Sequence, residues 1–309
     1  MSLSPLHRAV ASDLRRQRAL VDLLNQFAAS HVRVLVIKGA ALAYTLYASP
    51  LDRERHDADV FIDRAQLDDA EAVLGRLGYT RAKEPDLIAA GAQRHYLPPS
   101  PAADAIDLHW RVVNPQVFER VLPFDEAWSR SIGVTALGPC ARTLGWTDAL
   151  LLACVHRVAH HADSGDPRWL EDIDRLVRRL NEAELSAFVT GAARSGTRAV
   201  CLRSLQLAVR NCGTPDRGLI AELSHGDVRE PAAVFVTRTP RPAGILASDL
   251  RHGSWRNRVR ILRDHLFPSR EYMRLRYPRW PSWLLPVAYV VRVVFGMPAW
   301  FRRPDASDA

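Results

Sequence analysis

The sequence predicts an α+β protein: a mixed sheet flanked by helices, then a helical domain, then a basic C-terminal extension. Three observations predict it. Short β-branched or alternating runs are interleaved with helical periods as far as about residue 130. From Thr147 onward helical periodicity takes over. The charge is segregated: the net +8 of the 309 residues resides in one terminal segment. Residues 251–304 hold 12 Arg against Asp264 and Glu271, a net of +10. Asp305 and Asp308 subtract two, which leaves the first 250 residues neutral. A chain with 48% apolar and 25% charged residues is not largely disordered. The expected segments are an N-terminal helix (1–30), an α/β core (31–130), a helical domain (131–250) and a basic, Trp-rich extension (251–309).

Residues 6–29 place Leu14, Leu20, Leu23, Leu24 and Phe27 at helical spacing. Val32 to Ile37 is a β-branched apolar run and reads as a buried strand. Ala40 to Tyr47 reads as a helix ended by Ser49-Pro50. Asp57 to Ile62 alternates polar and apolar, as a strand does. Gln66 to Leu77 is a helix closed by Gly78. Weaker strands follow at Tyr79–Ala82 and Arg94–Leu97, then an alternating one at Ala105–Val112. Beyond Thr147, a plausible N-cap, helices are expected over 148–162, 170–180, 182–193 and 198–209. Residues 225–245 read as loop, and 251–279 as a basic amphipathic helix broken at Pro268.

The chemistry is concentrated in Val34 to Asp63. Successive side chains of a strand alternate faces, so Asp57 and Asp59 point the same way. Two adjacent carboxylates repel unless a cation lies between them, and magnesium does this while leaving positions open for phosphate oxygens. Asp107, on the strand Ile106-Asp107-Leu108-His109-Trp110, is a candidate third carboxylate. Three carboxylates on adjacent strands suit two-metal nucleotidyl or phosphoryl transfer. Gly39 follows one strand and opens a helix, where backbone can approach phosphate. A D-x-D pair alone is also compatible with a solvated strand face.

The ordered set Ile37-Lys38-Gly39-Ala40-Ala41-Leu42, Tyr47, Arg53, Asp57-x-Asp59 and Asp107-Leu108-His109-Trp110 resembles a bacterial uncharacterised nucleotidyltransferase family of the DNA polymerase β superfamily. The resemblance continues through His156, His160 and Arg168-Trp169-Leu170-Glu171-Asp172, and includes Phe267-Pro268-Ser269. It implies a nucleotidyltransferase fold, with two magnesium ions at Asp57, Asp59 and Asp107. A nucleoside triphosphate would lie at Lys38, Gly39, Ala40, Arg53 and His109. Ala40 departs from the superfamily's usual Gly or Ser after the first glycine, which leaves weak or lost transferase activity open. The acceptor could be a small molecule, sugar, peptide or RNA.

Several residues carry two readings. Lys38 could meet the β/γ-phosphates or pair with the acidic strand. Arg53 and Arg55 could clamp a triphosphate or balance Asp52, Glu54 and Asp57. His109 could approach the nucleotide or hold a carboxylate. His156 and His160 share a helix face and, with Asp172, could suggest a metal phosphohydrolase; alternatively they orient the two domains while Asp172 holds one ring. The H-E-x-x-H pattern is absent, because Arg157 occupies the acidic position. In the extension, Arg interleaved with Trp255, Phe267, Tyr272 and Tyr277 could bind nucleic acid. With Trp280, Trp283 and Trp300 it could instead meet an anionic membrane surface, or simply pack on the body. Pro281, Pro286, Arg292 and Pro298 interrupt the apolar run 280–301, so no spanning helix is expected. No secretory leader is apparent, and Cys140, Cys154, Cys201 and Cys212 read as reduced, buried thiols, which together suggest a cytoplasmic protein.

Overall fold

The computed structural model describes residues 4–82, 91–225, 230–237 and 242–300. Lys83, residues 301–309 and the side chain of Trp300 lie outside the described residues. Helix α1 (Pro5–Ala29) starts at Ser4, whose hydroxyl accepts from the His7 N–H. Strand β1 (Val34–Ile37) runs directly into α2 (Lys38–Thr45), and β2 (Asp57–Ile62) follows. Helix α3 (Leu67–Arg76) ends at Gly78, whose φ of +81° is the left-handed conformation that terminates a helix. Then come β3 (Thr80–Arg81), β4 (Gln93–Leu97), β5 (Ala105–His109), α4 (Phe124–Ser129), β6 (Ile132–Gly133) and β7 (Arg142–Thr143).

These strands form one mixed sheet in the order β3-β4-β5-β2-β1-β7-β6. Strand β2 is antiparallel to β1 and parallel to β5, and β7 is parallel to β1. The sheet therefore does not end near residue 130. Strands β6 and β7 close its far edge, and at two residues each they are defined by pairing more than by local propensity.

Helices α5 (Trp146–Ala159), α6 (Pro167–Arg179), α7 (Glu182–Ser195), α8 (Arg198–Cys212) and α9 (Leu219–Ser224) make up the helical region. Thr147 is not the cap of α5; Gly145 precedes the helix and the Thr147 hydroxyl donates to the Glu184 carbonyl. Asp166 caps α6 and Asn181 caps α7 with a reciprocal box through Glu184. The segment expected as loop, 225–245, holds α10 (Val234–Thr237) and the first turn of α11 (Pro242–His252). The extension breaks into α12 (Trp255–Leu266), α13 (Arg270–Arg276) and α14 (Leu285–Trp300). Among the described residues no helix is long and apolar enough to cross a membrane.

The alternation of the strands divides the interior into two clusters. Val34, Val36, Val60, Ile62 and Leu108 pack against α1 and α3. Leu35, Ile37 and Phe61, on the other face, join Leu150, Val155 and Ile173 of the helical region. Asp57 and Asp59 belong to this second face, where the apolar row of β2 gives way to carboxylates. Cys154 and Cys201 are buried as expected, but Cys140 is exposed.

Candidate active site

Sheet register assembles the site. Ile37 of β1 lies opposite Asp59 of β2, Asp59 opposite Asp107 of β5, and Asp107 opposite His95 of β4. Asp57, Asp107 and His109 share this face by the same alternation. Asp59 is buried and accepts from Lys38 Nζ and from His109 Nε2, both at 2.7 Å. Asp107 accepts from His95 Nδ1 at 2.6 Å and from Gln93 Nε2 at 3.4 Å. His109 donates to Asp59 through Nε2, and burial together with the Lys38 charge holds its pKa below the usual value, which favours the neutral ring.

The charges are unequal to one another. Burial would raise the Asp59 carboxyl, but the Lys38 ammonium and the His109 hydrogen bond outweigh it, and Asp59 lies well below the usual carboxylate range. Asp57 goes the other way. Burial, then the charges of Asp59 and Asp107, push it up to about 6. One ammonium thus serves three carboxylates, and the donor set is short of a cation. Ligand atoms of Asp59, Asp107 and His109 lie within 4.8 Å of one another, close enough to share one ion. These three residues fit a divalent metal, and His109 takes the place in the group expected for Asp57, which lies on the same strand face but is not one of the three.

Lys38 has a φ of +54°, a left-handed conformation that costs a non-glycine residue roughly 1–2 kcal/mol. The turn from β1 into α2 keeps it there, with the ammonium on Asp59. Gly39 is followed by Ala40, which is buried in the cluster on the far side of the sheet. The Ala40 side chain therefore faces core, not nucleotide, and only its backbone could face a ligand. A Cβ on Gly39 would meet the Arg53 guanidinium at an ordinary 3.6 Å, so no protein neighbour demands glycine at this position.

The carboxylate partners of the two arginines are distant in sequence and are not Asp52, Glu54 or Asp57, although Arg53 Nη1 also donates to the Glu54 backbone carbonyl. Arg53 donates from Nε and Nη2 to Asp172 of α6, at 2.9 and 2.8 Å, and Tyr47 Oη donates to the same carboxylate at 2.8 Å. Arg55 pairs with Asp13 of α1 and donates to Tyr44 Oη at 2.8 Å. Asp172 accordingly does not hold a histidine ring as expected; the cation and the phenol occupy it. The His156 and His160 rings stack with centroids 5.0 Å apart, and His161 stacks on Trp169 at 4.3 Å. The Asn114 N–H donates to His160 Nε2 at 3.3 Å, which requires a neutral ring. Burial, reinforced by the Lys38 charge, lowers His160 to about 3 and His156 well below the usual value. No His156–His160–Asp172 metal group forms among the described residues; the group that forms is Asp59–Asp107–His109.

A cavity of about 40 Å³ lies behind Gly39, lined by Lys38, Arg53, His156, Trp169 and Asp172. It has room for a few waters, not a nucleotide. His95 and Gln93 are the site residues that sequence reading missed. Their signal was alternation in β4, which becomes informative only once β4 is known to pair with β5.

Carboxylates on neighbouring strands, beside a strand–glycine–helix turn, define the nucleotidyltransferase class. The family described as uncharacterised nucleotidyltransferase matches residues 3–213. The chain belongs to that family. No curated protein matches the chain.

Proposed function

We propose that the protein moves a nucleoside monophosphate group from a nucleoside triphosphate to an acceptor hydroxyl, with release of pyrophosphate. The observation that carries this reading is the convergence of Asp57, Asp59 and Asp107 on one sheet face beside Lys38-Gly39. On this reading Asp57, Asp59 and Asp107 hold magnesium, with two ions expected. Bound magnesium would supply positive charge to the triphosphate and acidify the attacking hydroxyl. The rest falls to the chain. Lys38 keeps Asp59 ionised and places an ammonium beside the phosphates. His95 orients Asp107 through Nδ1 on Oδ1, and Oδ2, which accepts only the longer Gln93 bond, can take the acceptor proton. The acceptor oxygen then bonds to the α-phosphorus as the bond to pyrophosphate breaks. Arg53 acts by fixing the loop into β2 through Asp172, not as a free phosphate clamp. On this reading the acceptor is a sugar, small molecule, peptide or RNA, and the cytoplasm is the expected compartment. Titration with nucleoside triphosphate should show magnesium-dependent binding that weakens at least tenfold in Asp57→Ala/Asp59→Ala. Unchanged binding in that variant removes the reading.

A second reading has an observation of its own. Lys38 already neutralises Asp59, and Ala40 offers no hydroxyl, so the fold could bind nucleotide without turnover. Pyrophosphate release that disappears in Asp59→Asn rejects it.

A further inference from the structure

The extension is a folded unit with a satisfied inner side. Met273, Leu285 and Ala288 form its own small cluster. Tyr289 Oη donates to the Pro268 carbonyl at 2.7 Å, and Arg292 donates to the His265 carbonyl and lies over the Tyr272 ring. Ile261 and Asp264 bury the inner face of α12. Its outer face is different. Trp255, Val259, Leu262 and Leu266 recur at i, i+4, i+7 and i+11 and are exposed, Trp255 at 70%. At 100° per residue they fall within about 60° of one another, opposite Asp264. Arg256 and Arg263 flank this stripe on one side and Arg258 on the other. Helix α14 also has an outward aliphatic face, with Val287, Val290 and Val294 exposed and Trp283 exposed just before it, while its one arginine, Arg292, turns inward.

A solvated charged face would put Arg outward and aliphatics inward. Here aliphatics face outward in two helices, and on α12 Arg lies beside them. A second copy is a poor cover, because 251–304 carries a net +10 and would meet the same charge. Nucleic acid would meet the Arg and the indole, but Val and Leu offer nothing to stack or to pair with phosphate. An anionic bilayer surface meets all three at once: lipid phosphates take the Arg, the acyl boundary takes the aliphatics, and Trp lies at the interface. We propose that α12, with α14 beside it, docks the protein in plane on an anionic phospholipid surface. This inference stands apart from the transfer reaction, since no site residue takes part.

The full chain should float with vesicles of phosphatidylcholine and phosphatidylglycerol at low salt and not with phosphatidylcholine alone. Each Arg near an anionic surface contributes roughly fivefold to partitioning. Val259→Asp/Leu262→Asp should lower partitioning at least tenfold, and Arg256→Glu several-fold. Trp255→Ser, a change at a fully outward position, gives a second apolar variant should the double variant lose helicity. Failure to float on anionic vesicles overturns the proposal. So does flotation equal to wild type in both apolar variants, a dimer that does not float, or tighter binding to single-stranded RNA than to the vesicles.

Discussion

Asp57 and Asp59 lie two residues apart on one strand and should respond oppositely to the same change. Asp57 carries its charge against burial and two neighbouring carboxylates, which hold it up to about 6. Its conversion to Asn removes that repulsion and is expected to stabilise the metal-free protein by about 1–3 kcal/mol. Asp59 is the counter-charge of Lys38, at 2.7 Å and with both side chains about 90% covered. Asp59→Asn strands the ammonium and should cost about 3 kcal/mol. Urea unfolding in EDTA checks both, and shifts of the same sign would contradict this division of roles. The two aspartates were legible as a pair from alternation alone. Their opposite environments were not, because these depend on Lys38, His109 and Asp107, which only the β1–β2–β5 register brings alongside.

Between elements, one buried tie is Asp172 of α6, which takes Arg53 and Tyr47 at once. It fastens the helical region to the loop that feeds β2. Asp172→Asn leaves Arg53 buried without a counter-charge and is expected to cost about 3–5 kcal/mol in thermal or urea unfolding. Arg53→Lys should recover little of the pair, since an ammonium cannot reproduce the two-pronged contact. Helix α5 supplies a pH signal. His160 accepts the Asn114 N–H and is held near 3, whereas an unfolded histidine titrates near 6.5. The folded pKa is the lower one, so this stabilisation is complete above about 6.5 and is lost as pH falls toward 3. Between pH 6.5 and 5 the loss attributable to His160 should be about 1 kcal/mol per unit. His160→Gln keeps an acceptor and should flatten that slope; equal slopes would remove the buried neutral ring from the explanation. The sequence showed α5 and the histidine spacing. It could not show that Asp172 serves an arginine 119 residues away, since partner choice at that distance is a property of packing.

At the scale of the whole molecule, two large apolar clusters meet across the sheet, and the carboxylates lie where one of them ends. The third cluster belongs to the extension and shares no residue with the other two. The site should therefore be separable from everything after α12. Asn257 donates to Gln116 and Asp249 accepts from the Gln116 N–H, so α11 and α12 must stay with the body. A chain ending at residue 266 is expected to melt within a few degrees of the full protein. Magnesium near one hundred times its dissociation constant should stabilise both chains by about 2.7 kcal/mol, because the ion binds only the folded site. Asp57→Ala/Asp59→Ala should abolish that gain in either chain. The shortened chain should also float less on anionic vesicles than the full one, having lost α14 but kept α12. If the shortened chain instead unfolds or loses the magnesium response, the extension is part of the scaffold, and its Arg and Trp residues would then be read through the body they support.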